Sequence, residues 1–385
     1  MSNIFRTQNN RREMTWDEIC EQNLMMPGVE LGDVVIVQNT ATSANSRRNV
    51  DPTVSFGEFK KVLPVILTGM DCINDPKNVD SDGVPIMVKA FSEGGAVATM
   101  PHIPTEQGIK EGIEVARKIV SKQIKFAQYV GFNSKLEDIS AYMDAGVKTF
   151  IVDTAHGTQE GFLRKLEEIS ELCKKFQQET YIIAGNCMDQ EGAKSLYDAG
   201  ADMVKGGIGP GSACSTRVQT GVSEDQFTLA QNLGQLKKPY IVDGGIKSNG
   251  HIAVAVACGK KGIPVLGMVG GMFEGTAETP IVKLPDGKKG KGYWGQASEF
   301  YMKRHGITGR APEGIFREVK PRFEIDQKTP LSVKKLLNDL RGNLASTISY
   351  VVKLTPEEIE AGIVPNLSHL QEQAIFKFTG SRWPR

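Results

Sequence analysis

The stretch AGADMVKGGIGPGSACSTRVQTGV, residues 199–222, carries one repeat of the architecture and its chemistry together. A helical pattern over 191–199 leads into it, a short aliphatic strand follows at 202–205, and glycines then take over. Glycines let backbone N–H groups come close to a ligand, often a phosphate. Cys214 adds a nucleophile beside that cradle. A free cysteine is ordinarily a buried small hydrophobe. Here Gly209, Pro210, Gly211 and Ser212 precede it and Ser215, Thr216 and Arg217 follow, residues that pack poorly in a core and offer polar partners to a thiolate. The segment therefore reads as covalent chemistry on a phosphorylated small molecule.

The same strand-then-helix unit recurs on both sides. Candidate strands fall at 62–67, 96–100, 126–131, 149–153, 181–185, 202–205, 240–243 and 264–269. Helical patterns at 107–121, 135–145, 161–178, 191–199, 225–236 and 251–257 separate most of them. Such alternation means parallel pairing with right-handed crossovers. Eight units match a closed (β/α)8 TIM barrel, with a doubly wound open sheet as the alternative. A barrel puts its chemistry at the C-terminal ends of its strands. There the sequence places Met70-Asp71, Asp153 to Gly157, Gly185-Asn186, the Cys214 loop, Asp243-Gly244-Gly245 and Gly270-Gly271.

Several of these residues carry two readings. Asp243 is a ribose acceptor or a turn aspartate. His156 is a general acid or base, or a loop histidine bound to backbone. Glu313, in RAPEGIF (310–316), is a placed ligand group or a surface carboxylate. Past the eighth strand, PDGKKGKGYWG (285–295) reads as a flap hairpin, with Lys288, Lys289 and Lys291 on its solvated side. A C-terminal helical tail begins near residue 331, with Thr329 as its cap and Pro330 in its first turn.

The bulk properties agree with one barrel over 1–385 that includes a flap region at 275–325. A formal net charge of +1 gives no argument for nucleic acid or an anionic membrane as partner. The start, MSNIFRTQNNRREMTW, lacks an apolar core, and no apolar run reaches membrane-spanning length, so a cytoplasmic setting is expected. Six scattered cysteines form no C-x-x-C pair, which argues against a zinc site or disulfide framework.

The Cys214 segment, with VDTAHG (152–157), IIAGN (182–186) and VDGGI (242–246), closely resembles the IMP dehydrogenase and GMP reductase family. The resemblance runs from SRRNVD (46–51) to ISY (348–350). It implies a (β/α)8 barrel, usually a homotetramer, acting on a purine nucleoside monophosphate. Met100 runs straight into PHIPTEQGIKEG, so the regulatory modules that many dehydrogenases insert there are absent. The flap YWGQASEFYMKRHG (293–306) has Arg304-His305 where a dehydrogenase carries an Arg-Tyr pair to activate water. It resembles a reductase flap, as do RVQTGV (217–222) and VGGM (269–272). GTAETP (275–280) is shared with dehydrogenases and with some reductases.

The resemblance thus points to NADPH-dependent reductive deamination of GMP, or a close analogue such as dGMP, to IMP. The alternatives are an IMP dehydrogenase using NAD and a non-catalytic nucleotide-binding regulator. By resemblance, Cys214 attacks purine C2, and Thr216 and Glu313 relay a proton to the leaving amine. Ser212, Gly245, Gly270 and Gly271 hold the phosphate, and Asp243 the ribose. Met70, Gln296, Ala297, Arg310 and Gly314 surround the base and its loop. Asp153, Thr154, Ala155 and Tyr350 lie on the cofactor side. A potassium ion would sit at Gly209, Gly211 and Cys214. The chain departs from the family at Gly69, at Ala98-Thr99-Met100 in place of Ile-His-Arg or Ile-His-Lys, and at Gly206.

Overall fold

Eight parallel strands form one sheet: β1 (Val65–Leu67), β2 (Ala98–Met100), β3 (Phe126–Gly131), β4 (Thr149–Asp153), β5 (Tyr181–Cys187), β6 (Met203–Gly206), β7 (Tyr240–Asp243) and β8 (Val265–Val269). The computed structural model describes residues 4–6, 13–15, 28–44, 46–176, 179–309, 312 and 314–379. Neighbours in the sheet are neighbours in sequence, and β8 pairs with β1. The ring closes between β1 and β2 through Ile66 and Val97, where Leu67 N–H donates to Val97 O at 3.0 Å. The fold is the (β/α)8 barrel, not the open sheet.

Side chains alternate across each strand, so every strand feeds two cores. Ile66, Ala127, Ile151, Ile183, Met203, Ile241 and Leu266 fill the barrel interior. Their neighbours Val65, Leu67, Phe150, Val152, Val204 and Val242 pack outward against the helices. Phe56 and Phe59, from the hairpin 54–62, plug the N-terminal mouth against Tyr181, the first residue of β5. That hairpin also shortens the first expected strand, because Val62 pairs with Val54 inside it rather than with the barrel. The bottom is thus sealed and the top left open.

After β8 the chain leaves the barrel for a small antiparallel sheet of Val282–Lys283, Lys289–Trp294 and Phe316–Val319, with helix Glu299–His305 inside it. Leu284 N–H donates to Lys288 O at 2.8 Å, which closes the expected hairpin turn. Lys288 and Lys289 are exposed, but Lys291 is not. Its ammonium is buried and donates to Thr276 O at 2.8 Å and to Thr279 Oγ1 at 3.0 Å, which corrects the solvated reading.

The tail helix spans Val333–Val351 with Ser332 as its cap, not Thr329. Thr329 closes the preceding turn instead, donating from Oγ1 to Asp326 Oδ2 at 2.6 Å, and Pro330 sits in a bridge with Phe323. Among the described residues no helix is long and apolar enough to cross a membrane.

Candidate active site

The loops at the C-terminal ends of the strands, together with the flap, enclose a cavity of about 920 Å³. That lies within the usual range for a small-molecule or cofactor site. The β6 loop runs along one wall. Cys214 is exposed there, and its thiol donates to Thr216 Oγ1 at 3.2 Å. Cys72, Cys173, Cys187 and Cys258 are all buried. Burial pushes each of their thiols up, Cys187 to about 12, so none of the four offers a thiolate near neutral pH. The loop holds its shape by backbone contact. Gly244, at φ +91°, lies so close that a Cβ there would sit 2.9 Å from Gly211 N. Only glycine allows the β7 loop to lie on the β6 loop in this way.

Two aspartates reach the cavity from opposite sides, Asp153 from the end of β4 and Asp243 from the end of β7. Between them lies Lys205, 3 % exposed, with Nζ 2.7 Å from Asp153 Oδ1 and 2.6 Å from Asp243 Oδ2. Burial works against its charge, but the two carboxylates more than reverse this and hold the ammonium above the ordinary lysine range. Asn186 donates from Nδ2 to the same oxygen of Asp243 at 3.0 Å. The amide of the buried Gln226 donates to the carbonyls of Asp243 and Gly244. Sequence reasoning missed Lys205 and Gln226. A signal for Lys205 was present: it stands two residues after Met203, so it shares that residue's inward face of β6.

At the end of β4, Asp153, Thr154 and Ala155 line the cavity with His102. Burial lowers the His102 imidazole to about 4, against weaker opposing pulls from Asp153 and Asp138, so it is neutral at pH 7. Thr99 and Met100, where the family pattern is broken, are buried and do not line the cavity. The absent side chain at Gly69 has a steric cause, because a Cβ there would lie 2.5 Å from the Tyr129 ring.

Met70, Ser212, Gly245, Gly270, Gly271, Gln296, Ala297 and Gly314 all line the cavity. Gln296 donates from Nε2 to Gly69 O at 2.6 Å, and Gly314 N–H donates to Ser215 Oγ at 3.0 Å, so the flap is tied to the β1 and β6 loops. Glu313 and Arg310 lie outside the described residues. Two candidate residues stand apart from the cavity. Tyr350 is not brought to the cavity. It is exposed on helix Val333–Val351, whose buried face is Leu337, Leu340, Leu344 and Ile348. His156 is exposed and does not line the cavity either. No three His, Cys, Asp or Glu side chains that could hold a metal converge among the described residues. A monovalent cation at Gly209, Gly211 and Cys214 would rest on main-chain carbonyls, of which Gly211 O already accepts the Cys214 N–H at 3.0 Å.

Fold and site together define a (β/α)8 barrel with an exposed cysteine on a glycine-rich loop after its sixth strand. The family of IMP dehydrogenase / GMP reductase domains matches residues 15–379, and the chain belongs to that family of oxidoreductases. It is 32 % identical over 335 residues to a GMP reductase of Streptococcus suis strain 05ZYH33, covering 84 % of this chain and 90 % of that one. The GMP reductase of Streptococcus suis strain 98HAH33 is 30 % identical over 331 residues, with the same coverage. An inosine-5'-monophosphate dehydrogenase of Streptococcus pyogenes is 41 % identical over 198 residues, or 50 % of this chain and 38 % of that protein.

Proposed function

We propose that this chain reduces GMP, or dGMP, to IMP or its deoxy analogue. The observation that carries the reading is the exposed Cys214 thiol beside Thr216 Oγ1, on a loop that lines one cavity together with Asp153 and Asp243. Cys214 adds to C2 of the purine, and the Thr216 hydroxyl passes a proton to the departing amino group, with Glu313 as its partner in the relay. Asp243 accepts from the ribose, and Ser212 with Gly245, Gly270 and Gly271 receives the phosphate. Asp153, Thr154 and Ala155 hold the nicotinamide. NADPH, when bound, would supply two electrons as hydride, for C2 to exchange its amino group for hydrogen with ammonia leaving. The Cys214 thiolate is then released, and the enzyme is ready for another nucleotide.

The flap supports reduction over hydrolysis. Arg304 and His305 turn away from the cavity toward Asp75 and Asp71, so no cation–base pair of the flap helix faces the base to activate water. The dehydrogenase reading rests on the 41 % identity over 198 residues. Absorbance near 340 nm separates the two. A fall with GMP and NADPH, with ammonia released, fits the reductase. A rise with IMP and NAD overturns it in favour of the dehydrogenase, and GMP binding without turnover leaves the regulator. Cys214→Ala is expected to lower turnover at least about 10³-fold. Near-normal turnover by that variant would falsify the covalent route.

A further inference from the structure

At the phosphate end of the cavity, polar groups from three segments converge. The Tyr293 hydroxyl hydrogen-bonds with Ser212. A Cβ on Gly270 would lie 3.8 Å from that hydroxyl, and one on Gly271 would lie 3.5 Å from Ser212 Oγ. Arg317, on the flap strand Phe316–Val319, lines the same cavity and lays its guanidinium over the Tyr293 ring, 4.8 Å from the centroid. Its Nη2 is paired with Glu274 Oε2, and Glu274 lines the cavity as well. The pair is not sealed in, since the Arg317 side chain is 39 % exposed.

Charge in the cavity makes this pair informative. The described lining has three fixed cations, Lys205, Lys247 and Arg317, and three carboxylates, Asp153, Asp243 and Glu274. Lys205 is committed to the two aspartates. A nucleotide phosphate brings between one and two further negative charges near neutral pH. The cradle of glycines and hydroxyls supplies dipoles, not charge. Arg317 is the cation on the Tyr293 side of that cradle, and its present partner is one rim carboxylate.

We propose that Arg317 is a specificity-determining residue that reads the 5′-phosphate, with Glu274 holding its guanidinium on the Tyr293 face until the nucleotide arrives. This rests on the purine-nucleotide reading above. The guanidinium has five donors in a planar fork, so it can turn toward a phosphate without leaving the ring it stacks on. Glu274 then has the opposite effect on the ligand. Its carboxylate repels the phosphate and competes for the guanidinium.

Opposite signs are what separate this role from a structural one. Calorimetric titration of GMP and of guanosine into wild-type protein, Arg317→Gln, Arg317→Lys and Glu274→Gln is the test. Arg317→Gln is expected to weaken GMP at least about 10-fold and guanosine less than about twofold, as fits loss of a charge-assisted contact to phosphate. Glu274→Gln is expected to tighten GMP and leave guanosine alone. Arg317→Lys keeps the charge without the fork and is expected to fall between wild type and Arg317→Gln. If both ends of the pair weaken GMP and guanosine alike, the pair only braces the flap and the assignment is wrong. Equal GMP affinity in wild type and Arg317→Gln also overturns it, and leaves the purine reading intact. Wild-type protein that binds neither GMP nor guanosine overturns the purine reading, and the assignment with it.

Discussion

Lys205 joins carboxylates from two barrel strands, whereas Asp71, 1 % exposed, is reached by groups that all belong to the flap. Trp294 donates from Nε1 to Asp71 Oδ1 at 2.7 Å, and His305 Nε2 lies 2.7 Å from Oδ2. Arg304 approaches the same Oδ2 at 3.5 Å and pairs with Asp75 at 2.5 Å. Both clusters bury a charge and satisfy it from more than one side. They differ in what they join. The Lys205 cluster, at the floor of the cavity, ties β4 to β6 and β7, which already share one sheet. The Asp71 cluster ties that sheet to a seven-residue helix outside it. Damage at the floor should therefore register in the stability of the whole chain, and damage at Asp71 in the flap alone.

The largest effect is expected from Lys205→Met. It leaves Asp153 and Asp243 facing each other without their counter-cation, and losing one partner of a buried ion pair costs about 3–5 kcal/mol. Urea unfolding should show the loss, and turnover should fall with it. Because the lysine pKa is raised, its stabilising share is complete below the unfolded value of about 10.4 and fades only in strong alkali, so this difference should not change between pH 6 and 9. A midpoint matching wild type would put the floor on the same footing as the flap.

His102 stands at the junction, lining the cavity while its carbonyl accepts from Tyr301 of the flap helix at 3.2 Å. Its depressed pKa of about 4 fixes a sign. Between about pH 6.5 and 4 the unfolded chain takes up a proton that the folded chain refuses, so stability falls as pH falls. The loss amounts to about 3 kcal/mol and levels off below pH 4. Unfolding midpoints at pH 7 and pH 4.5 should differ less in His102→Phe than in wild type. Equal acid sensitivity in the two proteins would show that His102 is not the group that titrates.

Parts of this arrangement were legible in the sequence, and the reason is local. Strands of four to seven residues carry β-branched runs bounded by glycine, so β3, β4 and β7 match their expected spans. The Cys214 loop was legible because its odd composition is contiguous. The Asp71 cluster was not, since Trp294 and His305 stand 223 and 234 residues away along the chain. Nothing in GMD or in KRH announces the other. The position of Tyr350 outside the cavity was illegible for a related reason, because an aromatic residue in a tail helix does not declare which face of the helix is buried. Lys291 resembles its exposed neighbours in sequence and differs only in the carbonyls that the chain folds around it.

Asp71→Asn tests the flap. It keeps shape and removes the charge that His305 and Arg304 face, so the loss is about 1.5–3 kcal/mol in local docking. Protease cleavage within 299–309 should speed up, and kcat/KM should drop about 10-fold or more, while the urea midpoint moves far less than in Lys205→Met. A large global shift would mean that the flap is part of the barrel's cooperative unit.

The smallest effect gives the closest control, because the same cap occurs in both regions. Ser248 accepts from His251 N–H at 3.2 Å at the start of barrel helix Asn249–Ala257. Ser298 accepts from Tyr301 N–H at 3.3 Å at the start of flap helix Glu299–His305. Each Ser→Ala change removes one cap, worth about 1 kcal/mol, and Ser298→Ala also removes the Oγ donation to Gly295 O at 2.7 Å. Ser248→Ala should lower the global unfolding free energy by about that amount, since its helix packs directly on the barrel. Ser298→Ala should raise amide hydrogen exchange in 299–305 and leave global unfolding nearly unchanged. Equal global shifts in the two variants would erase the distinction between floor and flap. Faster exchange confined to 299–305 would place the flap helix at the low-stability end of the chain, where a segment that must admit a nucleotide and release its product belongs.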